Sequence, residues 1–150
     1  MENLFEVNEV KLTYKFKQKA SERQKVNDSI GIYQLLMRCF DPDTIELKES
    51  FKVLLLNNGF KVLGVMNVSE GGISNVSVDT RLIIQSALLS NATKIAIAHN
   101  HPSGNLEPSA ADSAITYRVK KACEIMDIEL CDHLIITPYN YYSFADNGKI

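Results

Sequence analysis

Thr93-Lys94-Ile95-Ala96-Ile97-Ala98-His99-Asn100-His101-Pro102-Ser103-Gly104, followed by Ser109-Ala110-Ala111-Asp112, is the stretch whose reading decides how this chain folds. Thr93 to Ala98 is short, apolar and alternately large and small, the pattern of a central strand buried on both faces. A polar loop, His99 to Pro108, follows it. Side chains two apart on a strand point the same way, so His99 and His101 project together from the strand's end. The next helix, Ser109 to about Met126, carries Ala111, Ile115, Val119, Ala122 and Met126 at spacings of four, four, three and four, which predicts a core-facing stripe. Asp112 falls in its first turn, where the macrodipole favours an ionised carboxylate. On a helical wheel it lies about 60° from the stripe's centre, facing the protein's edge rather than open water.

Outward from this segment the chain reads as alternating strands and helices. Phe51 to Leu56 is a β-type run, Asn57-Asn58-Gly59 a hairpin turn signal, and Phe60 to Val68 the second strand. Ser69 to Val78 is rich in Gly and Ser and reads as a loop. Asp79 then caps a helix reaching about Ser90, with Ile83, Ile84, Ala87 and Leu88 on one face. Nearer the N-terminus, Asp28-Ser29 caps a helix over Ile30 to Phe40 that the Asp41-Pro42-Asp43 turn ends. Ile128 to Thr137 and Tyr141 to Ala145 are two closing strands joined at Pro138-Tyr139-Asn140. The order helix, two strands, helix, strand, helix, two strands predicts a mixed sheet between helices.

At 150 residues, with 45% hydrophobic and 23% charged, the chain suits one compact domain and excludes collagen-like or disordered classes. Residues 27–150 form the expected folded body, and residues 1–26 an arm. Within the arm Val10, Leu12, Tyr14 and Phe16 alternate with polar residues, predicting an edge strand. From Lys11 to Lys25 six basic residues stand against one acid, +5 within a net charge of −2, so the remainder carries −7. Such an arm suits a weak nucleic-acid contact or a solvated edge, since lysines on an exposed strand also blunt edge pairing. Pairing of the Lys11 strand with its copy would make a homodimer. The longest apolar runs, Val53 to Leu56 and Ile95 to Ala98, are far below the ~20 residues of a membrane span, and Met1 to Glu6 lacks signal-peptide character, so a cytoplasmic protein is expected. Cys39, Cys123 and Cys131 lack paired spacing and are read as small buried hydrophobes.

The chemistry sits in His99, His101 and Asp112. Two imidazoles and a carboxylate are three ligands of the kinds Zn²⁺ accepts, and a catalytic site keeps its fourth position for water. Taken singly, Ser109-x-x-Asp112 is a capping box and Pro102-Ser103-Gly104 a turn. Neither accounts for two co-facing histidines entering the same loop. His133, within an apolar strand, is read as a hydrogen-bonded partner of the site and not a ligand. The literal His-Asn-His is not the spread triplet of HNH nucleases, and the H-x-E and P-C-x-x-C of nucleoside deaminases are absent.

The string His99-x-His101-Pro102-Ser103 with Ser109-x-x-Asp112 resembles the JAMM motif of Jab/MPN-type zinc metallopeptidases. His-Asn-His-Pro-Ser-Gly, Asp132-His133-Leu134 and the Tyr-Tyr-Ser-Phe-Ala ending look like the RadC-like branch, over about residues 43–146. The resemblance implies a cytidine-deaminase-like three-layer α/β/α sandwich and a zinc held by His99, His101 and Asp112. It further implies a Glu at the start of an early strand that activates the water, which matches Glu49. Glu70 and Glu107 sit in loops that also reach toward the metal. If the Phe51 strand is antiparallel to the Thr93 strand, its beginning lies beside the histidines. On this reading Ser109 donates to the oxyanion and the substrate is a peptide, protein or isopeptide, docked as an added strand at a sheet edge near the Ser69 to Val78 loop. Peptidase members usually carry Ser or Thr where Asn100 stands, which leaves the substrate open. Longer RadC-like proteins, historically associated with DNA repair, carry an N-terminal helix-hairpin-helix region for which 150 residues leave no room. The rival expectation is an accessory nucleic-acid- or protein-binding module with a non-catalytic zinc.

Overall fold

Residues 8–11, 13–71 and 77–150 are described in a computed structural model of the chain. After a 3₁₀ turn at Ala20–Glu22 come α1 (Ser29–Met37), β1 (Ser50–Leu56), β2 (Val62–Glu70), α2 (Thr80–Leu89), β3 (Lys94–Asn100), α3 (Ala110–Ile125), β4 (Glu129–Ile136) and β5 (Tyr141–Ser143). One sheet holds the strands in the order β2-β1-β3-β4-β5. β1 is antiparallel to β2 and β3, β3 is parallel to β4 through the α3 crossover, and β5 returns antiparallel to β4.

Strand alternation sorts the side chains into two cores. On one face Leu54, Leu56, Ala96, Ala98, Leu134 and Ile136 pack with Ile32, Leu35 and Leu36 of α1. On the other, Phe51, Val53, Leu55, Ile95 and Ile97 meet Ile83 and Ala87 of α2 and Val119 and Cys123 of α3. The large and small alternation in β3 has a direct outcome, with Ala96 and Ala98 facing the α1 side and the isoleucines facing α2 and α3. The three-layer α/β/α sandwich with a mixed sheet is therefore the fold.

Several local expectations need correction. The Val10 to Phe16 segment forms no strand among its described residues, and Leu12 lies outside them. Its aromatics are used otherwise: Tyr14 and Phe16 stack edge-on at 4.3 Å, the Arg23 guanidinium covers Phe16 at 4.3 Å, and the Tyr14 hydroxyl donates to the Leu63 carbonyl. The arm meets the sheet through an isolated bridge, Lys25 to Lys61. In the β1–β2 turn the left-handed residue is Phe60, at φ 60°, and not Gly59. The Asn57 side chain accepts from the Gly59 and Lys61 N–H groups, and the Phe60 ring is held against the α1-side core beneath Lys94, so β2 starts only at Val62. Of the Ser69 to Val78 loop, Ser69 and Glu70 belong to β2 and residues 72–76 lie outside the described residues. α1 ends at Met37, and Phe40 beyond it packs into the core. In α2 Leu88 is exposed, so the buried face narrows to Ile83 and Ala87. Of the cysteines, Cys123 alone is buried, while Cys39 is exposed. Among the described residues no helix is long and apolar enough to cross a membrane.

The largest correction concerns α3. Its buried residues are Thr116, Val119 and Cys123, whereas Ala111 and Met126 are exposed and Ile115 is half-buried. The helix is thus turned about 70° from the apolar stripe, at about 100° per residue. Asp112 lies on the same line as Thr116, Val119 and Cys123 and points into the protein. The hydroxyl of Thr116 and the carboxylate of Asp112 have buried partners, which outweighs the burial that Ala111 and Ile115 would gain.

Leu54 is fully buried between α1 and the sheet, so Leu54→Ala is expected to cost about 2–5 kcal/mol in urea unfolding. Ile125→Ala, at an 81% exposed residue of α3, should stay within about 0.5 kcal/mol of wild type. Similar losses for both would contradict the two-core assignment.

Candidate metal centre

β3 ends at Asn100, so His99 still carries strand geometry, and its Cα partner across β1 is Phe51. His101 follows one residue beyond the strand, its N–H held by the Ile136 carbonyl at 3.1 Å. Both rings turn to the α3 side. The His99 and His101 Nε2 atoms are 3.0 Å apart, and the Asp112 carboxylate lies 3.0 Å from the first and 3.2 Å from the second. One ligand atom from each of the three lies within 4.8 Å of the others.

Asp112 reaches this position because it caps its own helix. Ser109 Oγ accepts from the Asp112 N–H at 3.1 Å, and the Ser109 N–H donates to Asp112 Oδ2 at 2.8 Å. The same carboxylate closes the capping box and stands in the group that could hold a metal ion. Ser109 lines the cleft, and its hydroxyl has no hydrogen-bond acceptor among the described residues.

Hydrogen bonds behind the rings set which nitrogen is free. His101 Nδ1 lies 2.6 Å from the Asn105 carbonyl, which only accepts, so Nδ1 carries the proton and Nε2 of the neutral ring is a lone pair. His99 Nδ1 lies 2.9 Å from His133 Nε2, and His133 Nδ1 lies 2.6 Å from Thr116 Oγ1, which is 2.7 Å from the Asp112 carbonyl. When Thr116 donates to that carbonyl it accepts from His133, His133 accepts from His99, and His99 Nε2 is bare. Burial holds the His133 pKa well below its ordinary value, which keeps that ring neutral for the relay. His133 is therefore a hydrogen-bonded partner of the site. Thr116 was not legible in the sequence as one; its only signal is a polar residue four after Asp112 on the buried line.

Asn100 is a second residue whose role sequence reasoning missed. Pointing to the opposite face from the histidines, it donates to the Ile45 and Lys48 carbonyls at 2.6 and 2.8 Å and accepts from the Ser50 N–H at 2.7 Å. The clamped segment carries Glu49, whose carbonyl also accepts from Gly71 N–H at 2.9 Å. Glu49, His99, His101, Ser109 and Asp112 line one cleft of about 740 Å³. Glu107 lines it as well. Glu70 does not, being engaged by Lys48 Nζ and the Asn67 amide, both at 3.1 Å.

Electrostatics in the cleft favour a cation. Burial opposes ionisation of Asp112, but bonds from His101, His99 and the Ser109 N–H outweigh it and hold the carboxyl well below the usual carboxylate range. The bond to Asp112 raises His101 above its ordinary value, against an opposing contribution from burial. Three acceptor atoms at about 3 Å repel one another unless a proton or a metal lies between them, and two imidazoles with a carboxylate are a donor set that fits zinc.

Comparison with known proteins bears on the same residues. The family model described as "RadC-like JAB domain" matches residues 26–149. The chain belongs to this family. Relatives include a "UPF0758 protein" of Flavobacterium johnsoniae, 50% identical over 100 residues, 67% of this chain and 44% of that protein. Another, a "UPF0758 protein" of Porphyromonas gingivalis, is 41% identical over 135 residues, 89% of this chain and 58% of that protein. This RadC-like chain spans about half the length of the curated relatives it matches.

Two outcomes are expected. Thr116→Val removes the acceptor for His133 Nδ1–H, favours the proton on His99 Nε2 and should weaken zinc binding about 10–100-fold in a competition titration, whereas Thr116→Ser retains it; equal affinity for both variants would refute the relay. In metal-free protein His101, raised above 6.5, contributes stability in full below that value and loses it as pH rises through the folded pKa; Asp112, held below 3.8, contributes above 3.8 and loses it only in strong acid. The metal-free Tm, relative to His101→Gln, should therefore fall as pH rises above about 6.5, while the zinc-loaded Tm rises in the same direction of pH because the ligands must be deprotonated.

Proposed function

We propose that this RadC-like domain is a zinc-dependent hydrolase of peptide or isopeptide amide bonds. The observation that carries the reading is the convergence of His99, His101 and Asp112 in a cleft that Glu49 and Ser109 also line. Three protein donors are the number that a catalytic zinc site uses, whereas a closed structural site uses four.

His99, His101 and Asp112 would hold the zinc, which would supply Lewis-acid chemistry toward a carbonyl and a water. The chain's own residues do the rest. Glu49, held on its main chain by the Asn100 clamp and by Gly71, takes the proton of the attacking water and returns it to the leaving amine. Ser109 donates its free hydroxyl hydrogen to the oxyanion of the tetrahedral intermediate. His133 and Thr116 keep His99 in its ligating tautomer. Glu107 lies in the loop before α3, without the two-sided main-chain support of Glu49, so Glu49 is the base in this reading.

Zinc should be found at one equivalent in wild type and lost in His99→Ala and Asp112→Ala by elemental analysis. Against a broad peptide and isopeptide library, Glu49→Gln should lower turnover by about 10²–10⁴ and Ser109→Ala by about 10²–10³, both with zinc retained. Near-zero zinc after reconstitution would sink the metal site. Full zinc with no cleavage of any substrate would sink the hydrolase.

A further inference from the structure

Two residues of the predicted apolar stripe on α3 that escape full burial, Ala111 and Ile115, line the cleft. Ala111, Ala114, Ile115 and Arg118 share one flank of the helix, turned about 120° from the buried line of Asp112, Thr116, Val119 and Cys123, and all four line the cavity that holds His99, His101 and Asp112. Phe51 of β1 is on the cavity wall as well. The cleft thus runs along α3, with apolar side chains on the α3 flank and polar ones elsewhere, His99, His101 and Asp112 near the helix N-terminus and a guanidinium farther along.

Arg118 makes no ion pair among the described residues and, histidines aside, is the cation lining the cleft among them. Six residues at about 1.5 Å rise set it about 9 Å along the axis from Asp112, and helical side chains lean back toward the N-terminus. An extended peptide advances about 3.3 Å per residue, so this distance corresponds to two or three residues. A substrate carboxylate at Arg118 meets a complementary charge at a fixed distance from Asp112, which makes a specificity device.

We propose that Arg118 selects substrates that carry a carboxylate two or three residues from the scissile amide. The inference rests on the hydrolase reading for what the cleft does to its ligand. The carboxylate is a peptide's free C-terminus or an Asp or Glu side chain, and the planar guanidinium binds either through paired N–H donors.

The test uses zinc-loaded Glu49→Gln protein and labelled hexa-alanine peptides read by fluorescence anisotropy. One set is C-terminally amidated with a single Glu, Gln or Lys walked along the chain; another has a free C-terminus. A Glu at one position, or the free C-terminus, should tighten binding about tenfold over Gln or the amide, weakening at high salt. The set that responds identifies the source. Adding Arg118→Ala should remove the gain without changing affinity for neutral peptides, and Arg118→Glu should move it to Lys-bearing peptides. Equal affinity for Glu and Gln peptides at every position, no binding of any peptide, or a gain that survives Arg118→Ala would overturn the proposal. Turnover of the same peptides by protein with Glu49 intact separates the two readings: carboxylate-selective binding without cleavage counts against the hydrolase alone, and cleavage indifferent to charge counts against Arg118 alone.

Discussion

The antiparallel pairing of β1 with β3, in the register that sets Phe51 opposite His99, is the constraint on which the site depends. It places the start of β1 beside the end of β3, so the segment before β1 meets the histidines with no insertion between. Because side chains alternate, the same register sends His99 and His101 to the α3 side and Asn100 to the α1 side. A slip of one residue would exchange these faces, putting an amide among the ligands and an imidazole into the Ile45 to Ser50 turn. Asn100 opposes that slip, since its three hydrogen bonds join β3 to the chain entering β1.

The ligands themselves are under electrostatic tension that the backbone absorbs. Without a cation, two ring nitrogens and a carboxylate about 3 Å apart must share protons, and the opposite displacements of Asp112 and His101 are the record of that sharing. What keeps the arrangement in place is supplied from outside it: the capping box fixes Asp112, the Asn105 carbonyl fixes His101, and His133 with Thr116 fixes His99. The bonds behind His99, through His133 and Thr116, are buried, where a lost partner is expensive, whereas those that fix Asp112 and His101 are exposed. The ring of His133 is also stacked on Phe144 at 4.7 Å, which ties β4 and the segment after β5 to the same point.

The grouping of His99, His101 and Asp112 and the cleft along α3 have a common origin. Helix rotation links the two. Turning Asp112 and Thr116 inward exposes Ala111 and Ala114 and leaves Ile115 half-buried at the core's edge, and all three line the cleft. Helix and cleft cannot both claim the stripe. Buried hydrogen bonding decides the contest, because an apolar side chain loses less in a half-covered cleft than a carboxylate or hydroxyl loses in a core without partners.

Local pattern was enough for the sequence to specify the elements, the β1–β2 hairpin, the caps at Asp28, Asp79 and Ser109, and the joint projection of His99 and His101, since periods of 2 and 3.6 residues and cap chemistry are set by neighbours in the chain. The ligands were legible for the same reason. Tertiary structure alone decided the rotation of α3, the clamp made by Asn100, the relay through Thr116 and His133, the exposure of Cys39 and the use of Phe60 as the left-handed residue of its turn. In those cases the deciding partner lies far along the chain, 17 residues away for Thr116 and His133 and 55 for Asn100 and Ile45, or is the packing of the whole core. Periodicity reports which residues are apolar. It does not report which polar residues will find a buried partner, and here those residues set the geometry of the site.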